Sequence, residues 1–149
     1  MVRPTAAEII ARLGLAPHPE GGHFREFYRR PAATGERGTL TSIYYLLAAG
    51  ERSAWHRLLS ADELWYYHAG DALELRLADD NAGYVAHRLG ANPLAGELPQ
   101  LVVPVGRWQS AVPLGEWTLV GCAVSPAFEF DDFELAPAGF DPPLAPGWG

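Results

Sequence analysis

The stretch Trp55–Gly70, WHRLLSADELWYYHAG, decides how the rest of the chain is read. Side chains alternate along a strand, so His56 and Leu58 share one face of a first arm, while Glu63, Trp65 and Tyr67 share one face of a second. With a turn near Leu59 to Asp62, the two arms make a hairpin that brings His56 and Glu63 close together across the ladder. A histidine facing a carboxylate inside an aromatic barrel is either a metal site or an acid-base pair. The plainer alternative is a histidine that bonds a structural glutamate.

Outward from this stretch almost everything reads as strand. The patterns run over His23 to Arg30, Thr39 to Ala48, Ser53 to Leu58, Glu63 to His68, Ala72 to Ala78, Gly83 to Leu89, Leu101 to Val105, Trp108 to Val112 and Trp117 to Val124. Turn clusters such as AATGERG, HAGD and ADDNAG separate them. Short strands at this spacing predict an all-β sandwich or barrel. Before them, Thr5 to Leu13 reads as a short helix that packs as a lid or brace. Thr5 and Glu8 have capping-box spacing, Ile9, Ile10 and Leu13 share a face, and Gly14 closes the end. The tail APAGFDPPLAPGWG is too rich in proline and glycine for regular structure and is expected to wrap the surface or a partner subunit. The expectation is one domain over 1–149, with a core at about 6–136 and a tail at 137–149. SIYYLLA and EWTLVGCAV are apolar on both faces, which predicts a homodimer.

Composition narrows the chemistry. Net charge is -7, and the eleven basic residues are all arginine with no basic run, so nucleic acid is not an expected partner. Without lysine there is no Schiff base to a side chain, no lysine general base and no Walker-type phosphate lysine. Cys122 is the only cysteine, which excludes an intramolecular disulfide and any CxxC motif, and its apolar run TLVGCAVSP reads as a small buried hydrophobe. The start MVRPTAAEIIARLG is too polar for a signal peptide and no stretch approaches a membrane span, so a cytoplasmic protein without membrane contact is expected.

Several other residues are candidates for a site. In PVGRWQS, Gln109 stands at the start of a strand from which it can reach the cavity of His56 and Glu63; a surface glutamine is the plainer reading. The glycines of HPEGG permit positive φ or close approach of backbone to a ligand, and equally a simple turn into a strand. In HFREFYRR, Phe24, Glu26 and Tyr28 share one face and Arg25, Phe27 and Arg29 the other, and Phe24 is taken as ligand-binding. Trp65, Tyr45 and Trp108 read as core or pocket wall, with a planar ligand able to stack on one of them. Asp131 and Asp132 in DDFELA are expected to be solvated.

The spacing of His56, Leu58, Glu63 and Gly70 resembles the first cupin motif, H-x-H then Glu then Gly, and PVGRWQ resembles the second, P-x-G-x-x-H. Leu58 and Gln109 stand where cupins place two further histidines. HPEGGHFREFYRR, TSIYYLL, SAWHRLLSADELWYYHAGDALEL, VPVGRWQSA and VSPAFEFDDFELA together resemble the DUF985 or cupin-5 group over about residues 6 to 136. The resemblance implies a double-stranded β-helix, a jelly roll similar to the sugar-nucleotide epimerases of the dTDP-rhamnose pathway and usually dimeric. It brings no established reaction; the residues themselves suggest a small polar ligand in the barrel and leave two uses of the same side chains open. One is a divalent transition metal, Mn, Fe, Ni or Zn, on His56, Glu63 and Gln109, although an amide oxygen is a weak donor. The other is metal-free isomerase or epimerase chemistry, with His56 as general base, Glu63 as its orienter and Tyr67 as proton donor. A non-catalytic module that binds a metabolite through Glu63, Gln109 and the aromatic walls is the alternative.

Overall fold

The structure is a computed structural model that describes residues 2–80 and 83–145. Helix α1, Ala6–Leu13, starts on the Thr5 and Glu8 capping box and ends on Gly14 in the left-handed conformation. Its apolar side, Ile9, Ile10 and Leu13, packs with Leu46, Trp117 and Leu119. It braces a sheet from outside.

Among the described residues twelve strands follow: β1 Ala16–Pro17, β2 His23–Arg29, β3 Thr41–Ala48, β4 Ser53–Leu58, β5 Asp62–Gly70, β6 Leu73–Ala78, β7 Tyr84–Leu89, β8 Glu97–Leu98, β9 Gln100–Val103, β10 Trp108–Pro113, β11 Trp117–Ser125 and β12 Phe133–Leu135. They form two six-stranded sheets, β1-β2-β3-β11-β5-β9 and β12-β4-β10-β6-β7-β8. The pairings between these strands are antiparallel except the short β7 to β8 contact. This is the jelly roll. Side chains such as Tyr45, Leu47, Trp65, Leu73, Leu75, Leu77, Leu89 and Val120 fill one core cluster, each buried leucine contributing about 2 kcal/mol of transfer free energy.

The expected hairpin is corrected. β4 pairs with β10 and β12, whereas β5 pairs with β11 and β9, so the two arms lie in different sheets. Alternation along a strand specifies its inward face but not its partner. The segment between the arms is held by distant chain: Leu59 N–H donates to the Asp132 carbonyl, and the Asp62 carboxylate accepts from Val105 N–H. It therefore crosses from one sheet to the other. Asp132 departs from the expected solvated acid: it is buried and accepts from Ser60 at 2.7 Å and Arg37 at 3.1 Å. In the tail, Phe140 packs against Trp55 and Trp108, and residues 146–149 lie outside the described residues.

Candidate functional site

Between the sheets lies a cavity of about 450 Å³, within the usual range for small-molecule sites. Three local features aim side chains into it. The first is a bulge in β4: Gln109 opposes His56 and Ala111 opposes Ser53, so β4 spends one residue more than β10 over this interval. Such a bulge re-aims the side chain that follows it. His56 is thereby turned inward together with Leu58, and its Nδ1–H donates to the Ala54 carbonyl at 2.8 Å.

The second feature is the HPEGG loop. Gly21 and Gly22 have φ of 112° and 75°, and a Cβ on Gly21 would fall 2.1 Å from the Arg52 carbonyl oxygen. Only glycine fits that approach. The Tyr45 hydroxyl, donating to the Gly21 carbonyl, and the Ala54 N–H, donating to the Glu20 carbonyl at 2.7 Å, pin the loop against β3 and β4. Glu20 is thus pushed into the interior. Its Oε2 lies 2.9 Å from His56 Nε2.

The third feature is a relay on β5 and β10. Trp65 Nε1–H donates to Gln109 Oε1 at 2.9 Å, and Gln109 Nε2 donates to Glu63 Oε1 at 2.8 Å. An indole N–H can only donate, so the amide orientation is fixed: oxygen toward Trp65, nitrogen toward Glu63. Gln109 therefore holds the carboxyl of Glu63 in place.

Three ionisable groups are consequently buried together: Glu20, His56 and Glu63. Burial opposes charge on His56, but the Glu20 carboxylate overrides it and raises the pKa to about 9. Burial likewise opposes the Glu20 carboxylate, and His56 prevails, holding it below the usual range. Burial pushes Glu63 up to about 7, with His56 lowering and Glu20 raising it. The site thus favours an imidazolium and carboxylate pair beside a carboxyl that holds its proton more tightly than usual. Cys122 is buried, as its run predicts, and burial together with Glu63 pushes its thiol well up.

The residues named from sequence are distributed unevenly. His56, Glu63 and Phe24 line the cavity, with Phe128, Phe130 and Phe133 as further walls and Phe133 stacked on His56 at 5.3 Å between centroids. Gln109, Trp65 and Tyr45 stand behind it, their polar atoms committed to Glu63, Gln109 and Gly21. Tyr67 is not with His56: its hydroxyl donates to the Gly70 carbonyl at 2.6 Å, and its charged neighbours are Glu97, Arg3 and Asp71. Register against β11 is regular from Glu63 through Tyr67 and slips only beyond it, so Tyr67 keeps the parity of Glu63 but stands four residues, about 13 Å, farther along β5. The orienter of His56 is Glu20, which sequence reasoning passed over. Its only signal was an acid set between a histidine and two glycines.

At the mouth, Arg29 is held by Glu26 at 2.8 Å, by the Phe128 carbonyl at 3.0 Å and by Glu129 at 3.5 Å. The metal set expected from sequence does not assemble. Both His56 nitrogens face acceptors, the Gln109 oxygen is taken by Trp65, and Leu58 offers no donor. Among the described residues no group of three or more His, Cys, Asp or Glu is placed to hold a metal ion. As bonded here, His56, Glu63 and Gln109 do not present three free donors to a transition metal.

Two packed antiparallel sheets around a ligand-sized cavity define the cupin class of jelly roll. The chain belongs to the Cupin superfamily (DUF985) family, whose model matches residues 7–136. Among solved structures it is similar to protein SO0799 from Shewanella oneidensis, with 42% identity, 90% of this chain and 85% of that one covered, and a TM-score of 0.85. A hypothetical protein from Leishmania major is 35% identical, with 89% and 88% covered and a TM-score of 0.81. The capsular polysaccharide assembling protein CapF from Staphylococcus aureus is 16% identical, with 83% of this chain and 34% of that one covered and a TM-score of 0.63; this likeness concerns the fold. No curated protein matches the chain. No helix among the described residues is long and apolar enough to cross a membrane.

Proposed function

We propose that the cavity binds a small polar metabolite, with sugars and sugar nucleotides the first class to test, and moves a proton on it in an isomerase- or epimerase-type reaction. Glu63 takes and returns the proton, and the His56 and Glu20 pair supplies a fixed charged neighbour. The observation that carries this reading is geometric: two buried carboxyls line one cavity in different settings, Glu20 ion-paired to His56 and Glu63 held by the Gln109 amide, and burial accordingly raises Glu63 while His56 lowers Glu20. Environments that drive neighbouring acids apart in this way mark acid-base roles, and a group that titrates near neutrality transfers protons most effectively there. In this reading His56, held protonated by Glu20 and with both N–H groups bonded, is the fixed charge rather than the base.

The experiment is solvent exchange. Sugars and sugar nucleotides are incubated with the protein in heavy water, with and without chelator, and loss of C–H signal is followed by NMR. Exchange that survives chelator and disappears in Glu63→Gln while binding persists is the expected result. Exchange that continues undiminished in Glu63→Gln overturns the assignment. Binding without exchange for any compound makes the protein a non-catalytic binding module.

A further inference from the structure

His18 lines the same cavity as Glu63 and has no part in the reading above. Its Nδ1 lies 3.0 Å from the backbone nitrogen of Glu20. A backbone N–H only donates, so Nδ1 carries no proton and the ring is the neutral tautomer protonated at Nε2. Burial holds the pKa of His18 below the usual histidine value, against the pull of Glu20 and with help from His56, which keeps the ring neutral. Phe24, Tyr45 and Phe133 pack around the ring with centroids at 4.4, 5.6 and 6.3 Å. They leave it little freedom to rotate.

Among the described residues no acceptor takes the Nε2 proton. The side chain is only 6% exposed and lines the cavity, and Nε2 is not one of the buried atoms left without a partner, so its N–H opens onto the cavity, where a ligand can accept from it. The cavity thus presents one positioned neutral donor and one positioned proton carrier.

We propose that His18 is a further catalytic residue, donating its Nε2–H to a carbonyl oxygen of the substrate, and that the substrates are small carbonyl compounds with a C–H bond next to that carbonyl. The proposal rests on Glu63 as the proton carrier. The Glu63 carboxylate takes the proton from the carbon beside the carbonyl. The C–H electron pair becomes the carbon-carbon double bond of an enolate, and the carbonyl π pair moves onto the oxygen, where the His18 hydrogen bond stabilises the new charge. The proton on Glu63 exchanges with solvent. Its return to carbon reverses the electron movement, re-forms the carbonyl and leaves Glu63 ionised.

The test uses the whole chain, labelled with nitrogen-15, and 4-nitrophenol, whose phenolate oxygen imitates the enolate oxygen. The His18 ring resonances of the free protein are expected to report the Nε2–H tautomer between about pH 6 and 8, and 4-nitrophenol is expected to shift them. His18→Phe keeps the ring and removes the donor, so it should weaken the probe about tenfold, while His18→Gln, which keeps an N–H, should recover part of that loss. A proton found on Nδ1, affinities of wild type and His18→Phe within about twofold of each other, or no saturable binding of the probe to wild type would each overturn the proposal. None of these readouts depends on proton transfer by Glu63, which the solvent-exchange experiment tests separately.

Discussion

Two halves of one interior lie between the same pair of sheets and are built in opposite ways. One is filled by Leu73, Leu75, Leu77, Leu89, Val103, Ala111 and Val120. The other buries Glu20, His56 and Glu63 around open space. Strand alternation places inward side chains in both halves, so geometry alone does not distinguish them. Chemistry does: apolar inward positions stabilise the fold, whereas buried ionisable groups cost free energy unless each finds a partner. A chain that keeps three such groups beside a cavity holds them against its own stability, and sites that break the local rule in this way are where function is expected.

The contrast can be broken at its strongest point. Glu20→Ala strands the His56 imidazolium in the interior and should cost about 3–5 kcal/mol in urea unfolding. A loss below about 1 kcal/mol would mean that the pair is not held as a buried pair. On the other side, Leu75→Ala should cost about 3 kcal/mol through the void it leaves, with the NMR titration midpoint of Glu63 unchanged. Movement of that midpoint would show that the two halves are coupled rather than separate.

The smallest expected effect sharpens the comparison through pH. The folded pKa of Glu63, about 7, lies above its ordinary value of 4.5, so the folded state binds the proton more tightly and its stabilising share is lost as pH rises. Between pH 5 and 7 that loss should amount to about 2 kcal/mol. His56, raised to about 9 from 6.5, contributes a second decline that begins above pH 6.5 and ends near 9. Urea midpoints for Glu63→Gln should therefore lose most of the lower slope and keep the upper one. A slope from pH 5 to 7 that is the same in both proteins would contradict the raised pKa of Glu63.

Much of the architecture was legible in the chain. Helix α1 follows from Thr5, Glu8 and Gly14, and strands such as β4 and β11 fall where the alternation and the apolar runs put them. The short strands β1, β8 and β12 were not legible, because two or three residues carry no periodicity and pair only where neighbouring strands present free edges. Within the site, His56, Glu63 and Gln109 were found by spacing, yet their partners were misassigned. Glu20 was missed because a loop has no period from which an inward direction can be read.

The sequence by itself determined a mostly β chain, the shared parity of Glu63, Trp65 and Tyr67, the exclusion of lysine and disulfide chemistry, and the family motifs. These are properties of single strands and of composition, and local periodicity encodes them. Only the tertiary structure decided that β4 and β5 belong to opposite sheets, that a bulge and two glycines bring Glu20 onto His56, and that Trp65 turns Gln109 toward Glu63. Each of these depends on residues far apart in the chain meeting at hydrogen-bond distance, and the cost of leaving a buried polar group unpaired selects that meeting.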